Sequence, residues 1–292
     1  MDGRPCPRRR SRHEQGQEER EDEAALSYDP SSMPELPEVE RARALIADLA
    51  LGRRIADVDD SDAYVCRPHG PGEIRSALVG RSLLTANRIG KTMWCETDEE
   101  GPDLGLHLGM AGRIEVDEHG AGDPHVGNGR HNPVWDRFTL FFEDGGTLIL
   151  RDKRRLGRAV LEPDLSGLGP DAGEITRAEL RSRVGRGEAP IKARIMDQAV
   201  IAGVGNLLAD EALWRARLSP LRSAGELSEE ELDRLRRVLR GAIRDAVRLG
   251  GVHTGRLMAE RTARGSCPRC GAQLSVATVG GRTTVWCPEE QR

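Results

Sequence analysis

Lysine is scarce in this 292-residue chain, although arginine is abundant. Lysine and arginine together number 44, and only three of them are lysines: Lys91, Lys153 and Lys192. The lysine ammonium is a compact charge whose pKa shifts readily on burial, whereas the arginine guanidinium stays protonated. Because arginine supplies almost all other positive charge, these three lysines are candidate functional residues.

Long hydrophobic runs are also missing. No stretch of 18 apolar residues occurs, which argues against a transmembrane helix, and no basic-then-apolar segment indicates a secretory signal peptide. The six cysteines are irregularly spaced, so they predict free thiols and metal ligands in a reducing compartment rather than a disulfide framework. We therefore expect a soluble cytoplasmic protein that does not bind membranes.

An overall excess of positive charge is absent as well, since the formal net charge is −4. Positive charge is nevertheless concentrated locally: residues 151–158 carry five cations against one carboxylate, and residues 256–282 carry five arginines against Glu260. Such stripes either neutralise phosphates or form solvated faces. Net charge alone therefore gives no argument for nucleic-acid binding, but the stripes leave it open.

The pattern of apolar residues changes along the chain from strand-like to helical. The period-2 alternation of Leu104–Met110 is typical of a strand, and two strands should flank the turn at Gly145. We expect an α+β fold with several domains. The predicted segments are a disordered tail (1–32), a β-rich region (33–162), a linker (163–178), a helical region (179–252) and a C-terminal cysteine-bearing module (253–292).

The helical region contains recognisable boundaries. Ile191–Ile201 and Asn206–Ala216 are predicted as two helices separated by a Gly-Val-Gly turn. A capping box at Ser228 and Glu231 predicts a third helix, which ends at Gly250.

Five segments of the sequence stand out as candidate motifs. They are 33–40 (MPELPEVE), 88–91 (RIGK), 107–112 (HLGMAG), 152–157 (DKRRLG) and 189–211 (APIKARIMDQAVIAGVGNLLADE). Each has an ordinary structural explanation, such as a proline-initiated helix, a β-turn or a glycine turn between helices. In this order and over residues 33–292, however, the chain resembles the formamidopyrimidine-DNA glycosylase and endonuclease VIII family, with the formamidopyrimidine-type N-terminus.

The resemblance implies three catalytic residues. In the family the initiator methionine is removed and the proline amine is the nucleophile, a role that falls here on Pro34. A secondary amine with a pKa near 8 can form an iminium at C1′ of a damaged nucleoside. Glu35 would move protons to the ribose oxygen and the amine, and Lys91 would contact phosphate and assist catalysis.

The resemblance also implies a set of DNA contacts. Met110 would fill the gap left by the flipped nucleotide, while Arg154 reads the orphaned base and Leu156 acts as a wedge where the family usually has phenylalanine. Asn206 and Arg282 would contact phosphates, and Lys192 would also be a DNA-binding residue.

The C-terminal module has the spacing of a zinc site. Cys267, Cys270 and Cys287 match three positions of a four-cysteine zinc ribbon, and Glu290, or its neighbour Glu289, stands at the fourth. We predict that zinc is bound by the three cysteines and Glu290, the alternative being buried thiols beneath a small hairpin. Cys6, Cys66 and Cys95 lack partners at ligand spacing and are predicted to be structural.

The implied protein is a monomeric bifunctional DNA glycosylase and AP lyase that acts on oxidised bases in duplex DNA, in the cytoplasm of a bacterium at the nucleoid. Its implied fold is an N-terminal β-sandwich with flanking helices, a helix-two-turns-helix domain and a zinc-ribbon-like hairpin. A non-catalytic protein that binds damaged DNA or abasic sites is the alternative, and a zinc-ribbon regulator is a third.

The family pattern is not matched everywhere. Residues 1–32 would leave the Pro34 nitrogen as a tertiary amide without a nucleophilic lone pair, so we expect either that Met33 is the true initiator or that the tail is removed by proteolysis. Residues 251–266 are too short for the lysine-bearing loop that caps oxidised purines, which leaves the lesion preference open.

Overall fold

The computed structural model describes residues 34–98, 100–122, 132–262 and 264–292. Met33 and the predicted tail lie outside the described residues. The helices are α1 (Leu36–Leu49), α2 (Glu73–Leu78), α3 (Arg177–Val184), α4 (Ile191–Met196), α5 (Asn206–Ala216) and α6 (Glu229–Leu249). The strands are β1 (Ile55–Asp59), β2 (Asn87–Ile89), β3 (Thr92–Cys95), β4 (Leu104–His107), β5 (Arg113–Val116), β6 (His119–Gly122), β7 (Asp136–Phe142), β8 (Thr147–Arg151), β9 (Arg158–Leu161), β10 (Ser275–Val279) and β11 (Arg282–Trp286).

Two antiparallel sheets form a β-sandwich in the first half of the chain. One has the strand order β1-β7-β8-β5-β6 and the other β2-β3-β4-β9. Alternate residues of both sheets, such as Leu106 and Phe138, point into one shared apolar core. The predicted strand Leu104–Met110 ends earlier, at His107, because Gly109 takes a positive φ of 61° and turns the chain.

Helix α1 packs against this sandwich on one side and contacts α6 on the other. Its apolar positions Val39, Ala42 and Ile46 recur at helical spacing and are buried in the sandwich core. Pro37 lies in the first turn, where a missing backbone N–H costs no hydrogen bond. The residues immediately before α1 are therefore held between the sandwich and the helical region.

The helical region surrounds a second apolar core formed by α3, α4, α5 and α6. Helix α6 begins at the predicted capping box, in which the Ser228 hydroxyl accepts a hydrogen bond from the Glu231 amide, and ends at Gly250 with a φ of 114°. The predicted helix Ile191–Ile201 is shorter and stops at Met196. It ends there because the Asp197 carboxylate accepts a hydrogen bond from the Ala199 amide and turns the backbone.

The C-terminal hairpin of β10 and β11 packs on α5. A small apolar cluster joins Val285 of the hairpin and the cysteines Cys267 and Cys287 to the indole of Trp214 on α5. Among the described residues, no helix combines the length and apolar character needed to cross a membrane. The observed α+β architecture, with a β-sandwich, a helical region and a cysteine-bearing hairpin, confirms the predicted fold class.

Candidate active site and nucleic-acid interface

The Glu35 carboxylate lies against the N-terminus of α5. It accepts hydrogen bonds from the backbone amides of Gly205, Leu207 and Leu208, at 3.0, 2.8 and 3.0 Å. Only 1% of Glu35 is exposed. Free backbone N–H groups and the helix dipole favour a carboxylate at this position. The residue following Pro34 is thereby fixed in orientation by a helix that begins 171 positions later in the sequence.

A glycine at position 205 makes this contact possible. A Cβ added to Gly205 would lie 2.3 Å from the Glu35 carboxyl carbon. The φ of Gly205 is −115°, so the requirement is space rather than a left-handed backbone. Gly205, in the predicted turn between α4 and α5, therefore admits the carboxylate and does not merely help to reverse the chain.

Lys91 lies beside this carboxylate, in the turn between β2 and β3. The turn is held by Asp171, whose carboxylate accepts a hydrogen bond from the Gly90 amide at 2.7 Å and pairs with the Arg88 guanidinium. Gly90 packs so closely on Gly203 that an added Cβ would lie 2.9 Å from the Gly203 nitrogen. The rare lysine is thus carried to the α5 N-terminus by a braced hairpin.

The electrostatics of the two groups are linked. Burial raises the pKa of Glu35, and the nearby Lys91 ammonium and three backbone amides only partly offset it. Burial lowers the pKa of Lys91, although the charges of Glu35 and Glu38 oppose this shift. A carboxyl that holds its proton more tightly than usual is suited to general acid catalysis near neutral pH. His107, on the neighbouring strand β4, has its pKa lowered by burial and by Lys91, so the neutral imidazole is favoured.

Glu38 is a second buried carboxyl in this region and was not predicted as a site residue. It accepts hydrogen bonds from the backbone amides of Glu35, at 3.0 Å, and Val252, at 2.6 Å. Burial and then the charge of Glu35 raise its pKa to about 7. Glu38 therefore joins the segment at Pro34 to the chain that follows α6.

The raised pKa of Glu38 predicts a pH-dependent stability. The folded state holds the proton more tightly than the unfolded state, whose carboxyl titrates near 4.5. The stability that the protonated group contributes is therefore fully present below about pH 4.5 and is lost as the pH rises through about 7. Relative to the parent, Glu38→Gln should gain up to about 3 kcal/mol of unfolding free energy between these pH values, at about 1.4 kcal/mol per pKa unit.

Denaturant unfolding across this pH range measures the effect, with the exposed Glu226 changed to glutamine as the matched control. The free energy of unfolding should change differently with pH in Glu38→Gln and in Glu226→Gln. If the free energy of unfolding of Glu38→Gln and of the parent changed with pH in parallel, the raised pKa of Glu38 would be contradicted.

The predicted wedge residues come together on two touching loops. Met110 follows Gly109, and an added Cβ at Gly109 would lie 2.4 Å from the Leu156 carbonyl carbon. The second loop is shaped by Asp152, which is fully buried and accepts hydrogen bonds from the amides of Arg154, Leu156 and Gly157. Arg154 is exposed, whereas Met110 and Leu156 are half-buried.

Asn206 lies beside the amides that hold the Glu35 carboxylate, and Arg282 lies near Lys91. Asn206 is the first residue of α5 and is 5% exposed, yet neither side-chain amide atom has a hydrogen-bond partner among the described residues. Buried polar groups in proteins are rarely left unpaired. Arg282 is exposed at the start of β11, close enough to Lys91 for its charge to oppose protonation of that ammonium.

Lys192 occupies a different kind of position from the one predicted. Its side chain is fully buried, and the ammonium pairs with Asp210 at 2.7 Å and donates to the Thr284 hydroxyl at 2.8 Å. Asp210 also binds the Arg261 guanidinium at 2.9 Å. The lysine therefore joins α4 and α5 to the C-terminal hairpin, and its ammonium does not face solvent. Lys153, by contrast, is exposed, with its ammonium 5.4 Å from the centre of the Trp135 ring.

Three of the four predicted zinc ligands converge. The sulfur atoms of Cys267, Cys270 and Cys287 all lie within 4.8 Å of one another. Glu290 does not join them, which overturns its prediction as a ligand: its carboxylate pairs with Arg269 at 3.1 Å and with Arg217 at 3.5 Å. Two guanidinium groups hold the carboxylate away from the thiols, and Glu289 is likewise absent from the cluster. Three thiols suit zinc, which accepts sulfur readily and needs a fourth ligand.

Residues 33–159 match the model of the formamidopyrimidine-DNA glycosylase N-terminal domain, and residues 167–256 match that of the formamidopyrimidine-DNA glycosylase H2TH domain. The chain belongs to the formamidopyrimidine-DNA glycosylase family. The formamidopyrimidine-DNA glycosylase of Roseiflexus sp. (strain RS-1) is 34% identical, with 89% of this chain and 100% of that protein covered. The protein of the same name from Thermus thermophilus is 35% identical, with 88% and 97% covered.

Solved structures of this family have the same fold. Lactococcus lactis Fpg in complex with DNA containing an abasic site is 25% identical, with a TM-score of 0.74 and coverage of 88% of this chain and 99% of that one. The wild-type Lactococcus lactis Fpg bound to DNA containing N7-benzyl-Fapy-dG is 26% identical, with a TM-score of 0.74 and coverage of 89% and 100%.

For this family member the cysteine cluster predicts zinc binding with a coordination position left to solvent. Cys270→Ser should lower the zinc content of purified protein several-fold, because a thiolate is replaced by a weaker ligand. Glu290→Gln should leave the zinc content unchanged, since its carboxylate is engaged by arginines. Metal analysis of protein that has not been exposed to chelator measures both, and loss of zinc in Glu290→Gln would restore the glutamate as a ligand.

Three buried or half-buried carboxylates that support the site are not predicted from the sequence. Asp152 shapes the wedge loop, Asp171 braces the Lys91 hairpin and Asp210 receives two cations. Each lies at or next to a turn or helix, where aspartate is common for local reasons. Only its position directly before the rare Lys153 could have drawn attention to Asp152. Cys66 and Cys95, which the sequence predicts to be structural, are buried free cysteines, and Cys6 lies outside the described residues.

Proposed function

We propose that this chain is a DNA glycosylase that removes oxidised bases from duplex DNA in base excision repair and then cleaves the strand as an AP lyase. The observation that carries the proposal is the Glu35 carboxyl, buried directly after Pro34, held by three backbone amides and facing Lys91. A buried acid with a raised pKa beside a lysine is the arrangement expected of an acid–base site.

The proposed reaction begins at the Pro34 nitrogen. The neutral amine attacks C1′ of the damaged nucleoside, the C1′–N bond to the base breaks, and the base leaves with that electron pair and accepts a proton. Loss of the amine proton and transfer of the Glu35 proton to O4′ open the sugar and leave an iminium between Pro34 and C1′. The iminium acidifies the C2′ hydrogen. Its removal expels the 3′ phosphate, which nicks the strand.

The chain's own residues would hold the DNA in position for this chemistry. The unpartnered Asn206 amide at the α5 N-terminus, the exposed Arg282 and the adjacent Lys91 form a cationic, N–H-rich surface around Glu35. Such a surface suits the phosphates that flank a flipped nucleotide. Because the Lys192 ammonium is paired with Asp210, we assign it to positioning the hairpin that carries Arg282.

The touching Met110 and Leu156 loops would fill the gap left in the duplex. Apolar side chains inserted at a base step unstack it and kink the DNA, and the exposed Arg154 between them could pair with the orphaned base. The close packing of Gly109 on the Leu156 backbone supports the two loops acting as one unit.

One observation favours the alternative of a non-catalytic binder. Residue 33 precedes Pro34 in the sequence, and while it is attached the Pro34 nitrogen is an amide that cannot attack C1′. Such a protein would retain the phosphate contacts and the wedge and would bind abasic or damaged DNA without cleaving it.

Incubation with defined duplexes tests the proposal. Each duplex carries a single formamidopyrimidine, 8-oxoguanine, oxidised pyrimidine or abasic site, and an undamaged duplex is the control. Base loss is read by alkaline cleavage and lyase activity by strand nicking without alkali. Protein that begins at Pro34 should nick at least one oxidised-base duplex and the abasic duplex. Tight binding to all lesions without base loss or nicking would favour the non-catalytic binder.

A further inference from the structure

Tyr64 is an exposed aromatic residue surrounded by arginines. Its ring lies 3.9 Å from the Arg67 guanidinium carbon, 5.2 Å from that of Arg158 and 5.6 Å from that of Arg155. Nearly half of the tyrosine, 47%, is exposed. No role in the proposed reaction accounts for a ring held among three cations at the surface.

The loop that carries Tyr64 is fixed to the sandwich. The Val65 carbonyl accepts a hydrogen bond from Ala159 on the edge strand β9, and His69 Nε2 accepts one from Leu161. Val65 and Cys66, which follow Tyr64, are completely buried. The exposed ring is therefore presented by an anchored loop, which reduces the ordering entropy that a ligand would have to overcome.

Positive charge around the ring is only partly neutralised. Asp62 pairs with Arg155 at 2.7 Å and lies 3.6 Å from Arg137. Within the described ranges, neither Arg67 nor Arg158 has a carboxylate at ion-pair distance, and their guanidinium groups donate to backbone carbonyls instead. The surface therefore combines an aromatic face with cations available to an anionic ligand.

We propose that Tyr64, Arg67 and Arg158 form a binding surface for single-stranded DNA beside the wedge loop. Paired bases inside a duplex expose only their edges in the grooves, so an aromatic ring that does not intercalate stacks on an unpaired base. The arginines would bind the phosphates on either side of that base. This surface extends the DNA-binding part of the proposed function and does not depend on its chemistry.

The position of the surface fits a strand that leaves the duplex near the wedge. Arg155 and Arg158 flank Leu156 in sequence, and Arg155 is tied to the Tyr64 loop through Asp62. A single-stranded extension, such as the end of a nicked or gapped duplex, could therefore reach Tyr64 while the Leu156 side chain is inserted into the DNA duplex.

Fluorescence anisotropy with a labelled lesion-free single-stranded oligonucleotide tests the inference on the full chain. Tyr64→Ala should weaken this binding about fivefold or more, since stacking on one base contributes about 1–3 kcal/mol. Tyr64→Phe should bind like the parent, and Arg67→Gln should weaken binding and reduce its salt dependence. Arg54→Gln, at an exposed arginine paired with Glu143, is the charge-matched control and should be silent.

Chemical modification gives an independent measurement. The chain has only two tyrosines, so a Tyr28→Phe variant of the full chain leaves Tyr64 as its sole tyrosine. Single-stranded DNA should protect that tyrosine from nitration, whereas an equal concentration of blunt duplex should protect it less. Equal binding by Tyr64→Ala and the parent, or nitration unaffected by single-stranded DNA, would overturn the inference.

Failure of the glycosylase proposal would be seen separately. Base excision from a blunt duplex by protein that begins at Pro34 should be the same for Tyr64→Ala and the parent. Absence of excision in both would contradict the proposed chemistry while leaving the single-strand measurements to decide this surface.

Discussion

Protein that begins at Pro34 should become covalently trapped on abasic DNA when borohydride reduces the iminium, whereas the full 292-residue chain should not. Reduction converts the bond between the proline nitrogen and C1′ into a stable amine. Only a nitrogen free of an acyl group has the lone pair needed for attack, so the expected difference is between trapping and none.

The sharpest control retains a single residue before Pro34. A chain that begins at an uncleaved Met33 has the same described fold residues but an acylated proline nitrogen. It should bind the abasic duplex with similar affinity and remain untrapped. Equal trapping of the extended and Pro34-first proteins, verified by mass measurement, would direct attention to a lysine amine, with Lys91 the first to be substituted.

Glu35→Gln should reduce excision of an oxidised base by roughly 10²- to 10⁴-fold, the range typical of a general acid or base. The amide has no acidic proton for O4′, and its NH2 group would face a backbone N–H donor at the α5 N-terminus. Binding to an abasic analogue should be retained, because the proposed phosphate contacts come from residues other than Glu35. Single-turnover excision and equilibrium binding measure the two effects.

Gly205→Ala is the structural counterpart of this change, since it keeps the carboxyl but displaces it. The added methyl group would overlap the Glu35 carboxyl group, with 2.3 Å between the carbons. Excision should fall as in Glu35→Gln while the acid remains present. Normal excision by both variants would remove Glu35 from the mechanism; normal excision by Gly205→Ala alone would show that its placement by α5 is unnecessary.

The sequence predicts helix boundaries well where a local cap sets them, and less well where tertiary packing decides. The α6 boundaries follow from Ser228 and Gly250, whose cap and left-handed backbone act within one turn. The end of α4 at Met196 was missed because the apolar period continues through Ile201, which is buried in a turn rather than on a helix. Periodicity reports burial and cannot by itself distinguish these two settings.

In the candidate site, likewise, the sequence predicts individual residues better than it predicts their contacts. The family resemblance predicts Pro34, Glu35 and Lys91 as site residues, and the scarcity of lysine supports Lys91, but which charges meet depends on tertiary packing. Lys192 pairs with Asp210, although the family resemblance predicts a DNA contact, and Glu290 pairs with Arg269, although the spacing predicts a zinc ligand. A cation or carboxylate takes the partner nearest in space, and neighbouring sequence does not specify it.

The contact between Glu35 and α5 has a consequence for synthesis of the chain. The proposed amine (Pro34) and the proposed acid (Glu35) are made first, yet the helix N-terminus that orients the Glu35 carboxylate comes 171 positions after Glu35. A ribosome-bound or truncated product would therefore carry Pro34 without an aligned proton donor. Under the proposed function, the Pro34 nucleophile would lack its proton donor until α5 has been synthesised and has packed against Glu35.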